Sequence, residues 1–129
     1  VKTIFPIWIK NCIGQNGNCE KGFVELPYTL PQDSTLFIIM QEKNIDIWKK
    51  KLDWIAEKGG MALLNTHPDY MEFYGKKGLE KYPEHFYIEL LQYVKRRFKE
   101  QYWNILPDEL ASFWREKVVP KLGNQHSVS

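Results

Sequence analysis

The chain predicts an α/β fold, and three observations carry that expectation. Ile45, Trp48, Leu52 and Ile55 fall at helical spacing, with Lys49, Lys50, Lys51, Glu57 and Lys58 largely off that stripe. Gly59-Gly60 supplies a helix stop. Met61 to Asn65 then reads as a short buried strand. Helix, glycine turn and buried strand make half of a βαβ unit, which argues for a parallel sheet or barrel.

The elements follow in order. Ile4 to Ile9 is apolar and aromatic, and Pro6 within it suits an edge strand or a bulge. Phe23-Val24-Glu25-Leu26 alternates as a second strand, and Asn16-Gly17 between the two is a hairpin signal. Cys12 and Cys19 flank that turn and can face each other across its mouth. Their spacing alone does not establish a bond, and free thiols are the plainer reading. Leu26 to Asp33 holds two prolines and predicts an extended loop. Thr35 to Met40 is wholly apolar and leans towards a short helix that Asp33 or Ser34 can cap. Tyr70 to Lys81 is rich in Gly, Lys and Tyr and reads as a loop. Pro83 stands near the first turn of a helix to about Gln101, with Phe86, Leu90, Tyr93 or Val94, and Phe98 on its apolar face. Pro107 opens a further helix to about Val119, with Leu110, Phe113, Trp114 and Val118 inward. Residues 1–122 are expected as one structured portion, and 123–129 as a disordered polar tail.

With 129 residues the chain suffices for one domain with a modest core. A net charge of +2 leaves no nucleic-acid footprint, and Lys95-Arg96-Arg97 with Lys99 reads as a solvated helix face. No apolar run approaches the roughly 18 residues of a membrane span, so no membrane partner is expected. The start at Val1 is read as an upstream segment removed or a piece of something longer. Aromatic residues reach 15%, enough for core packing or for a ring surface that stacks on sugar.

The chemistry gathers at Asn65-Thr66-His67-Pro68-Asp69. A histidine at the end of an apolar strand can be a general acid or base, a metal ligand or a hydrogen-bonded structural residue. Pro68 fixes His67 outside helical geometry, and Asp69 is near enough in sequence to orient an imidazole. His85 is surface-like, and His126 falls in the tail. No paired histidine or cysteine spacing for zinc, no glycine-rich phosphate loop and no nucleophile elbow is present. Asp53-Trp54 reads as a solvated acid beside a packing Trp. Glu25 and Asp33, flanking the Pro-Tyr loop, either bond a hydroxylated ligand or brace that loop.

Three stretches carry a family likeness: Val24-Glu25-Leu26-Pro27-Tyr28-Thr29-Leu30-Pro31-Gln32-Asp33, residues 45–56 around Trp48 and Trp54, and Gly59-Gly60-Met61-Ala62-Leu63-Leu64-Asn65-Thr66-His67-Pro68-Asp69-Tyr70-Met71. Together they resemble the C-terminal half of polysaccharide deacetylase-like proteins of the glycoside hydrolase/deacetylase superfamily. The resemblance covers most of residues 4–116, and the Gly-Gly to His-Pro-Asp-Tyr run is its specific part. It implies the C-terminal part of a distorted (β/α) barrel, with a β-hairpin near the N-terminus and C-terminal helices. It implies a hydrolase acting on amide C–N bonds of N-acylated sugars with a divalent metal, zinc being expected. The metal ligands lie in the family's N-terminal half, so this chain alone is expected to bind none and to be inactive. Its expected partners are a carbohydrate substrate and the missing half of the barrel, or a second copy of the chain. The family's late Leu-x-Leu-His motif carries a general acid histidine. His67 matches that histidine and Leu64 the first leucine, while Thr66 stands at the second, a departure that allows another acyl or amide group. Leu64, Asp69, Tyr70 and Tyr28 are the expected substrate-binding residues. The alternative from another class is a non-catalytic carbohydrate-binding or structural interaction module, with Trp8, Tyr28, Tyr70 and Trp103 as its stacking rings.

Overall fold

The computed structural model describes residues 3–11, 21–75 and 78–123. Cys12, Cys19, the Asn16-Gly17 turn and His126 lie outside these residues, as do 124–129 of the expected tail. The chain divides into two compact units, Val1–Pro27 with Asn104–Ser129, and Tyr28–Trp103.

In the first unit β1 (Ile7–Asn11) pairs antiparallel with β2 (Lys21–Glu25), in the register Trp8↔Val24 and Lys10↔Gly22. Pro6 is buried just ahead of β1 and leaves the ladder intact. A Cβ on Gly22 would sit 2.4 Å from the Ile9 carbonyl oxygen and 2.6 Å from the Trp8 ring. The glycine is therefore what lets the indole lie over β2. α3 (Pro107–Phe113) begins on proline, and the Leu106 N–H donates to Glu109 at 3.4 Å. A π-helical stretch, Trp114–Val118, follows, and then α4 (Val119–Gly123). The single helix expected after Pro107 is thus broken by a wider turn. Leu110, Trp114 and Val118 are half-buried, and Phe113 is exposed.

The second unit holds the aromatic core. A π-helical segment, Ser34–Ile39, buries Leu36 and Phe37. α1 (Asp46–Lys58) buries Trp48, Leu52 and Ile55, three of the four residues of its predicted stripe, and the fourth, Ile45, is buried at its N-cap. Gly59 ends α1 in the left-handed region at φ 65°, where a side chain is strained, and the Gly60 N–H reaches back to the Ile55 carbonyl at 3.0 Å. After a 3-10 turn at Pro68–Tyr70, two short strands, β3 (Met71–Glu72) and β4 (Tyr82–Pro83), pair in parallel. α2 (His85–Arg97) buries Phe86 and Leu90 and keeps Lys95, Arg96 and Arg97 exposed in its last turn, where cations suit the helix dipole. Phe37 is the hub of the core: its ring centre lies 4.9 Å from Trp48, 4.6 Å from Tyr82 and 5.0 Å from Phe86. α1 and α2 are joined by an ion pair, Lys49–Glu89 at 2.6 Å, and by the Tyr93 hydroxyl donating to Asp53 at 2.8 Å.

Two local expectations need correction. Met61 to Asn65 belongs to no sheet and is partly exposed. Its polar groups turn to the preceding loop instead. The Thr29 hydroxyl donates to the Met61 carbonyl and accepts from the Leu63 N–H, both at 2.8 Å, and the Leu63 carbonyl accepts from the N–H groups of Thr29 and Leu30. A side chain thus supplies partners that a neighbouring strand would otherwise supply. In Asp53-Trp54 it is the Trp that departs from its reading: Asp53 stays partly solvated while meeting Tyr93 and Arg97, whereas Trp54 is not packed inward but exposed under the Lys51 ammonium, 4.3 Å from its ring centre. Among the described residues no helix is long and apolar enough to cross a membrane.

Candidate functional site

His67 stands where the Met61–Asn65 segment meets the 3-10 turn. Its backbone is extended at φ −126° and ψ 110°, as the following proline demands. The turn starts on Pro68, and the Tyr70 N–H closes it onto the His67 carbonyl at 3.0 Å. The staple at Thr29 therefore positions His67 from one side and the turn from the other.

The imidazole is met by Asp33, 34 residues earlier in the chain. Asp33 Oδ1 lies 2.7 Å from His67 Nδ1, and Oδ2 accepts the His67 main-chain N–H at 2.7 Å. The Ser34 N–H donates to Oδ1 at 2.8 Å, and the Tyr82 hydroxyl donates to Oδ2 at 2.9 Å. Asp33 is 0% exposed, while the His67 side chain is 36% exposed. Asp33 caps the Ser34–Ile39 segment, so a single carboxylate both starts a helical turn and grips a histidine.

The tautomer follows from the acceptor. A carboxylate surrounded by donors accepts the Nδ1 proton of the neutral ring, which makes Nε2 the acceptor. Nε2 lies 3.4 Å from the Asn65 side-chain nitrogen, which in this tautomer is its donor. The Tyr70 ring meets the imidazole edge-on, with centres 5.5 Å apart. Burial first, and then the hydrogen bond and charge of Asp33, push the Tyr82 phenol well above its ordinary range, so Tyr82 remains a donor.

The remaining predicted residues are distributed as follows. Leu64 is half-buried beside Asn65. Tyr28 is 68% exposed next to the Thr29 staple. Asp69 is exposed, and its main-chain carbonyl accepts from Lys81 Nζ at 2.9 Å. The carboxylate expected from Asp69 comes instead from Asp33. Trp8 is half-buried on β1 and Trp103 is 60% exposed. Glu25 is exposed on β2, and His85 is exposed with its ring edge-on to Phe86. Tyr82 gave no signal in sequence beyond being an aromatic residue ahead of Pro83.

Among the described residues no three His, Cys, Asp or Glu side chains gather as a metal site. No protein-family model, curated protein or solved structure matches the chain.

Proposed function

We propose that this chain is the C-terminal portion of a deacetylase-like hydrolase that cleaves the amide C–N bond of N-acylated sugars, with His67 as its general acid. In that reading the chain contributes to a distorted (β/α) barrel. The divalent metal, zinc by expectation, and the base that takes the proton of the attacking water are supplied by the rest of the parent protein.

The observation that carries the reading is the pair formed by buried Asp33 and half-exposed His67. Amide hydrolysis stalls at the departing amine, which leaves only once protonated. With Nδ1 held by Asp33, the neutral ring first takes a solvent proton at Nε2, and the imidazolium so formed is the donor. As the C–N bond breaks, the bond electrons stay on nitrogen, the Nε2 proton moves to it, and the ring returns to its neutral form. The fixed carboxylate stabilises the imidazolium before transfer and prevents the ring from turning. Tyr70 and Tyr28 offer ring surface for a sugar, and Leu64 a piece of apolar wall for the acyl group.

The test uses the parent protein that contains this chain, an N-acetylated oligosaccharide and an assay for released acetate. His67→Ala should lower turnover by about 100-fold or more, the range of a lost general acid. Full turnover in that variant would overturn the reading. The alternative, a carbohydrate-binding or interaction module, would appear as sugar binding that the same substitution leaves intact, with no acetate released by the parent.

A further inference from the structure

The mechanism above uses His67 and Asp33 but gives no task to the Tyr82 hydroxyl. Tyr82 is 2% exposed, and its ring sits in the core against Phe37, at 4.6 Å between centres, and Phe86, at 6.4 Å. Phenylalanine would fill that space with the same shape. The one atom that distinguishes tyrosine is spent on Asp33 Oδ2 at 2.9 Å. The other donors to the carboxylate are the Ser34 and His67 main-chain N–H groups, which come with the fold, and the imidazole itself. Among the described residues, Tyr82 is thus the one side chain besides His67 that shares this acceptor.

Two donors on one carboxylate compete for its charge. A hydrogen bond to Oδ2 disperses negative charge and weakens the hold of Oδ1 on the Nδ1 proton. We propose that Tyr82 is a positioning residue that acts through Asp33, tempering the grip of the carboxylate on His67 so that the Nε2 proton is easier to release. The proposal rests on His67 as the proton donor. Among the described residues the groups against the ring are Asp33 from the loop ahead of the Ser34–Ile39 segment, Asn65 from the Met61–Asn65 segment and Tyr70 from the 3-10 turn. Of these, Asp33 alone is contacted by Tyr82.

The experiment is proton NMR of the full chain labelled with 15N-histidine, following the Nδ1–H resonance of His67. In Tyr82→Phe the carboxylate has lost a donor, so this resonance should move downfield as its hydrogen bond strengthens. An unchanged or upfield position overturns the proposal, because a role in packing alone leaves the acceptor as it was. Should Tyr82→Phe fail to fold, the coupling is read from the other end. In His67→Gln, with Tyr82 intact, the slowly exchanging Tyr82 hydroxyl proton should move downfield, since couplings of this kind are reciprocal. A static hydroxyl signal there overturns the proposal equally. Neither readout involves turnover, so loss of the proposed function in the His67→Ala assay and loss of this coupling are separate results.

Discussion

Asp33 accepts four hydrogen bonds on two oxygens while fully buried, which leaves its plane no room to turn. Asparagine at this position has the same shape but replaces one acceptor with a donor that would face another donor. Asp33→Asn should therefore cost on the order of 3 kcal/mol, the usual penalty for breaking a buried, charge-assisted network. Equilibrium unfolding in urea measures it, and a cost under about 0.5 kcal/mol, the scale of an ordinary surface substitution, would contradict this view of Asp33. Sequence led to His67 because of the apolar run before it and the proline after it. It led to Asp69 as the orienting acid because two positions is a short reach. The 3-10 turn begun by Pro68 leaves Asp69 exposed, and the true partner is 34 residues away. Such a separation leaves no mark in one sequence. The local signals at Asp33 were an acid ahead of an apolar helical run and an acid flanking the Pro-Tyr loop, neither of which names His67 as its partner.

At the scale of elements, helices were legible where a stripe and a stop coincide. α1 keeps its predicted stripe and ends at Gly59 as expected. The Met61–Asn65 segment was misread because an apolar run specifies burial and not a ladder partner. Its backbone is satisfied by Thr29, whose hydroxyl bridges Met61 and Leu63. Thr29→Val keeps the branched shape and removes the bridge. It should cost about 1–3 kcal/mol, since the Leu63 N–H and the Met61 carbonyl lose a buried partner. Amide hydrogen exchange should be faster at Leu63 and at His67, whose N–H reports the grip of Asp33. Unchanged exchange at both sites would show that the staple does not position the histidine.

At the scale of the whole molecule, Asp33, His67 and Tyr82 share one unit, Tyr28–Trp103, with the aromatic core, so proton-linked stability should report on both. Tyr82 is raised above the ordinary tyrosine value of 10.0 by burial and by Asp33, and the Lys49 ammonium is raised above 10.5 by its hydrogen bond to Glu89. Both groups hold their protons more tightly when folded. From about pH 10 upwards the unfolded chain releases protons that the folded chain keeps, so stability declines as pH rises. The melting temperature should therefore be level from neutral pH to about 9 and fall above about 10, with a shallower fall in Tyr82→Phe. A melting temperature that rises across this alkaline range would contradict the assignment of Tyr82 as a buried donor. Sequence reached the apolar stripes and the approximate places of α1 and α2. The assembly of Asp33, His67 and Tyr82 depends on tertiary approach of three distant segments, which periodicity does not encode.

The central claim is that Asp33 fixes His67 with Nδ1 protonated and Nε2 available for proton transfer. The most direct test is the long-range 15N–1H spectrum of the neutral imidazole in the full chain. The account predicts a single tautomer with its proton on Nδ1, lost on Asp33→Asn. A ring protonated on Nε2, or an even mixture of the two forms in the unmodified chain, would contradict it.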